Sequence, residues 1–107
     1  MGNERTKAVG ISALVRAVVY SRDSWEGATC CALCGSPRML SIAHYIARSQ
    51  SGKGIEQNLI TLCLSCHATL DQGYPEARKA MRRRAKEYLQ HVYGDSWREE
   101  ELRYRRE

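Results

Sequence analysis

Two thiol pairs, Cys31-x-x-Cys34 and Cys63-x-x-Cys66, bracket a segment that holds His44 and Asn58, and His67 follows the second pair directly. Four thiolates brought in by two tight turns complete a tetrahedral zinc shell with no position left for water, so this group is expected to be structural. A histidine has a different use, because its neutral imidazole takes up a proton near working pH. His44 has the chemistry for such a transfer, and the amide of Asn58 can hydrogen-bond a neighbouring loop. His67 is then free to hold a second, divalent ion, and Asp71, four residues on and so on the same helical face, could share it. Each residue also has a plainer reading. A strand histidine packs, an asparagine ends a loop, His67 replaces one thiol in the zinc shell, and Asp71 is a surface residue before the Gly73 stop.

The elements that must position these groups are read from periodicity. Arg5 to Arg22 has apolar residues at helical spacing (Val9, Ala13, Leu14, Ala17, Val18 and Ile11), which predicts one N-terminal helix weakened at Gly10. Asp23 to Gly27 reads as a turn, and Cys30 to Gly35 as a metal knuckle closed by Pro37. Leu40 to Ile46 and Leu59 to Leu62 are strand candidates, separated by the Ser- and Gly-containing loop Arg48 to Gly54. A short helix is expected from Cys63 to Gln72, then a long one from Pro75 to Gly94. Trp97 and Leu102 form a docking turn, and Arg103 to Glu107 a tail.

Composition narrows the partners. The chain has 107 residues, 17 Lys and Arg against 12 Asp and Glu, and a formal charge of +5, which suits a polyanion. The long helix concentrates the charge at Arg78, Lys79, Arg82, Arg83, Arg84 and Lys86, and the last three arginines of that run would contact phosphates. Arg48 could grip the phosphate next to His44. With 43% hydrophobic residues, no Phe and a mean hydropathy of −0.53, the core is thin and invites a metal staple. Four of the five cysteines fall in two knuckle-spaced pairs, with Cys30 out of register, which points to a reducing compartment. The opening residues Asn3 to Lys7 are charged, and Arg16 interrupts the apolar run Ala13 to Tyr20. A cytoplasmic protein without a membrane span is therefore expected, as one domain over 1–107 with its core at about 20–73.

The run Cys31-x-x-Cys34-Gly35, then Ala43-His44-Tyr45-Ile46-Ala47-Arg48-Ser49, then Gly54 through Asn58 to Cys63-x-x-Cys66-His67, resembles the HNH endonuclease family. The resemblance implies an α+β, ββα-metal (His-Me finger) fold with a four-Cys zinc site, an N-terminal helix and a basic C-terminal helix. It further implies DNA as substrate and His44, Asn58 and His67 as the residues that name the motif, with His44 as general base and Asn58 fixing the loop that carries it. Structural Zn²⁺ would be joined by a catalytic Mg²⁺, Mn²⁺ or other divalent ion, in a monomer or weak homodimer. Ala43 departs from the pattern, since many members carry Asp or His there as a metal ligand. That departure keeps open a non-catalytic, zinc-ribbon-like DNA-binding module; a protein-binding zinc ribbon is a second rival, and a redox role for the thiol pairs is set aside.

Overall fold

The N-terminal apolar run does not form one helix. In the computed structural model, which describes residues 4–105, it divides into α1 (Glu4–Val9) and α2 (Ala13–Arg22). Gly10 ends the first, and Ser12 starts the second by accepting the Val15 N–H at 3.1 Å with its side chain, an N-cap that restarts the ladder in a new phase. The new phase changes which residues go inside. Val9 and Val19 are buried, whereas Leu14 is 75% exposed and Ala17 and Val18 also face solvent, contrary to the predicted stripe.

The expected turn at Asp23 to Gly27 is a hairpin of β1 (Ser24–Trp25) and β2 (Ala28–Thr29). Its two corner residues, Glu26 (φ 49°) and Gly27 (φ 84°), both have positive φ, as a two-residue hairpin of right-handed strands requires. Asp23 itself is no surface turn residue. It is 2% exposed, and its carboxylate accepts from the Arg22 guanidinium at 2.7 and 2.9 Å, from the Thr61 N–H at 2.8 Å and from the Tyr88 hydroxyl. Arg22 continues to the Glu56 and Leu59 carbonyls and to the Tyr93 hydroxyl. This polar node ties the end of α2 to the centre of the molecule.

That centre is the antiparallel pair β3 (Ser41–His44) and β4 (Leu59–Leu62), in register from Ser41 opposite Leu62 to His44 opposite Leu59. Alternation splits the two strands between two packing layers. Ile42 and Leu59 meet Val19 on the α2 side. Ala43, Ile60 and Leu62 face the larger core, built with Leu70 of α3 (Leu64–Gln72), Ala85 and Leu89 of α4 (Pro75–Tyr93), and Trp97 and Leu102 beyond it. Cys31, Cys63 and Cys66 belong to that same cluster, so the thiol group is part of the core.

The predicted docking turn holds: Trp97 donates its indole N–H to the Gln57 carbonyl at 2.8 Å, and Leu102 is 1% exposed. The expected tail is paired as far as it is described. Arg103 bridges Gly52, Lys53 N–H donates to the Leu102 carbonyl at 2.7 Å, and Tyr104 N–H donates to the Ser51 carbonyl at 2.7 Å. Residues 106 and 107 of that expected tail, and Asn3 of the charged opening, lie outside the described residues. Among the described residues no helix is long and apolar enough to cross a membrane.

Candidate active site and zinc centre

The cysteine group comes together as its spacing predicts. One ligand atom from each of Cys31, Cys34, Cys63 and Cys66 lies within 4.8 Å of all the others, and Cys34 Sγ is 3.6 Å from Cys63 Sγ. A tetrahedron with Zn–S bonds of about 2.3 Å has edges of about 3.8 Å, so the four thiols fit zinc. Gly35 (φ 81°) makes the knuckle turn, the Cys34 N–H points at Cys31 Sγ, and Ala32 N–H donates to the Thr61 carbonyl, fastening the knuckle to β4. Burial pushes the Cys31 thiol up, but backbone N–H groups at Cys63, Cys34 and Leu33 outweigh it and bring it down to about 7. Burial and the neighbouring thiols push Cys66 far up. Four thiols this close resist joint ionisation without a cation among them. Cys30 stands outside the group, and His67 does not enter it.

His44, His67 and Asp71 line one cavity of about 570 Å³ together with Ser41, Arg16 and Arg48. An adjoining hollow of about 410 Å³ shares His44 and Asp71 and adds Arg78, Lys79 and Arg82. The two form a continuous groove with the histidine and the carboxylate at its middle and cations at either end.

His44 closes β3, and its Nε2 lies 2.9 Å from the Val9 carbonyl. A carbonyl only accepts, so the proton is on Nε2 and the lone pair of the neutral ring is on Nδ1. Burial, helped by the nearby Arg48 cation, holds this imidazole below its ordinary value against the opposing pull of Val9 and Asp71. Asn58, in a single 3₁₀ turn before β4, is fully buried and does not touch the ring. Its Oδ1 accepts the Ile46 N–H at 2.8 Å, and its Nδ2 donates to the Ile46 and Lys53 carbonyls at 3.1 and 2.9 Å. The amide thus holds the chain just past His44, and α1 holds the ring.

His67 stands in the first turn of α3, with Nδ1 at 2.6 Å from Ser41 Oγ and Nε2 at 3.1 Å from Asp71 Oδ2. If Nδ1–H donates to the serine, two lone pairs face each other across 3.1 Å, an arrangement that repels unless a proton or a metal cation lies between. In the other tautomer Ser41 Oγ–H donates to Nδ1 and Nε2–H to Asp71, which satisfies both distances; in the first, Nε2 and the carboxylate offer two ligand atoms to a divalent ion.

Ala43 is 1% exposed and faces the core, so a carboxylate in this position would be buried among Ile60 and Leu62. The three arginines expected to contact phosphate also separate. Arg82 lines the groove above the Tyr45 ring, Arg84 donates to the Leu33 carbonyl beside the zinc knuckle, and Arg83 is exposed outside both hollows. Sequence reasoning missed Arg16, Ser41 and Val9. A solvent-phase arginine on the incorrectly phased first helix was the one signal for Arg16; a backbone carbonyl leaves none.

Residues 31–72 match the HNH endonuclease family. This HNH segment runs from Cys31 to the end of α3 and contains the four-thiol group, His44, His67 and Asp71. Among solved structures the fold resembles the type IV phosphorothioation-dependent restriction endonuclease ScoMcrA, with a TM-score of 0.54 at 17% identity over 82% of this chain. The chain covers 18% of that protein's length. No curated protein matches the chain. Val9, Arg16 and the α4 cations lie outside the HNH segment, so the groove is completed by helices that the matched residues do not include.

Proposed function

We propose that the protein is a divalent-metal-dependent endonuclease that hydrolyses phosphodiester bonds in DNA. The observation that carries this reading is His44, oriented with Nδ1 unprotonated, lining the same groove as the His67 and Asp71 pair. Hydrolysis needs a water to lose a proton as it attacks phosphorus, and His44 Nδ1 accepts that proton. His67 and Asp71 hold the catalytic ion, with Mg²⁺ or Mn²⁺ suited to the oxygen-rich remainder of the shell. When bound, such an ion supplies Lewis acidity at the phosphate and at the leaving oxygen. Asn58 keeps the loop after the base in place, and Ser41 accepts the Nδ1–H of His67 when Nε2 is given to the ion.

Phosphates flanking the scissile one are held by the groove cations Arg16 and Arg48 on one side and Arg78, Lys79 and Arg82 on the other. Zinc in the four-Cys group staples the base of α3 to the knuckle.

Plasmid cleavage by the zinc-loaded protein with Mg²⁺, Mn²⁺, Ni²⁺ or no added metal tests the reading, with His44→Ala as control. Cleavage that requires both the added ion and His44 is the expected result. Duplex binding without cleavage under every metal would make this a zinc-stapled DNA-binding module instead.

A further inference from the structure

The general base is held by a residue outside the HNH segment. Helix α1 ends against the loop between β3 and β4, and three sets of contacts fix it there. Gly54 N–H donates to the Ala8 carbonyl at 2.9 Å. Arg5 donates from Nε to Ser51 Oγ at 3.0 Å and from its terminal nitrogen to the Arg48 carbonyl at 2.6 Å. Most tellingly, the backbones of Gly54 and Gly10 are pressed together so tightly that a methyl group on Gly54 would lie 2.0 Å from the Gly10 carbonyl oxygen and 3.0 Å from that of Val9. The next carbonyl in line, Val9, is the one that receives His44 Nε2–H at 2.9 Å.

We infer that α1 is a positioning element of the active site: seated on Gly54 and anchored by Arg5, it presents the Val9 carbonyl that fixes His44 as the Nε2–H tautomer and leaves Nδ1 to take the proton from water. The inference rests on the nuclease reading for its kinetic consequence, but the docking and the tautomer do not depend on it. The sheet, the zinc group and the groove cations lie outside α1. Of the groove cations only Arg48 touches α1, and through its backbone, so loosening this helix acts first on the base.

Two variants test it in the full-length, zinc-loaded protein. Gly54→Ala drives α1 off its seat, and Arg5→Gln weakens the anchor without adding bulk. Zinc content and far-ultraviolet circular dichroism establish that each is folded. Nitrogen-15 correlation spectra of the imidazoles report the His44 tautomer directly, and kcat is measured separately from KM and from duplex affinity.

Expected is a shift of His44 from a single Nε2–H form to a tautomer mixture in Gly54→Ala. A fall in kcat of about a hundredfold, the cost of a misplacement near 1 Å, should accompany it, with KM and duplex affinity unchanged and Arg5→Gln intermediate. An unchanged tautomer and kcat in folded Gly54→Ala would overturn the inference. So would a parallel loss of zinc, duplex affinity and kcat in both variants, which would make α1 a support of the fold. A wild-type protein that shows the Nε2–H tautomer but never cleaves would sink the nuclease reading and leave the docking of α1 standing.

Discussion

Ala43 lies opposite Ile60 in the β3–β4 pair, is 1% exposed and belongs to the larger core cluster. Ala43→Asp is therefore expected to destabilise the protein by about 3 kcal/mol or more, from burying a carboxylate without a partner, and to leave divalent-ion affinity no better. Urea unfolding and a metal titration check both halves. The base beside it carries a pH signature. Its active form is neutral, and its affinity for protons is depressed below the ordinary 6.5. As pH falls, kcat/KM should accordingly hold through the usual imidazole range and drop only at more acid values. A pH–rate profile breaking above 6.5 would argue against His44 as the free enzyme's base. His44, His67 and the cysteines were legible because their side chains are named by the sequence and spaced by it. The burial of Ala43 was not legible, because a single small residue before a histidine carries no signal of what packs over it. The Val9 carbonyl was not legible at all, because every residue has one.

Elements were legible in proportion to their length. The 19-residue α4 has enough turns for its period to show, and Pro75 marks its start. The two-residue strands β1 and β2 are too short for any period, and their Glu26-Gly27 corner reads as a plain turn. The first helix failed for another reason: Ser12 is an ordinary residue in a helical run until its hydroxyl is seen capping Val15. Which α4 cations meet the groove depends on how α3 docks below them, and that long-range fact has no local signal. Replacing Arg78, Lys79 and Arg82 by Gln should reduce the steepness of the salt dependence of duplex binding by about 0.9 in log–log slope for each phosphate no longer neutralised. Arg83→Gln should leave it unchanged. Anisotropy titrations over a range of KCl concentrations separate the two, and equal effects would show that the whole helix acts as a diffuse charge.

At the scale of the molecule, the thin core announced by the composition is stapled twice. One staple is the zinc group, whose Cys31, Cys63 and Cys66 are themselves core residues. Zinc binding by such thiol sets is worth about 10–16 kcal/mol, comparable to the whole stability of an ordinary domain, so removal of zinc by a strong chelator should unfold the chain. Circular dichroism during chelation and zinc return is the measurement; a persistent native spectrum without metal would refute it. The other staple is the Arg22 and Asp23 node, invisible beforehand because two adjacent opposite charges normally mean a surface. Asp23→Ala leaves a buried guanidinium unpaired and should cost about 3–5 kcal/mol, read from the urea midpoint.

Cys66 and His67 are consecutive residues in the first turn of α3, one in the four-thiol group and the other in the groove. Under the proposed function the two ions then cannot be titrated independently. The groove ion finds its ligands only on chains whose zinc is in place, so its apparent dissociation constant is the intrinsic one divided by the zinc-loaded fraction. Scarce zinc would therefore appear, in a titration of the second metal, as a weaker affinity for that metal even though the groove itself is unchanged.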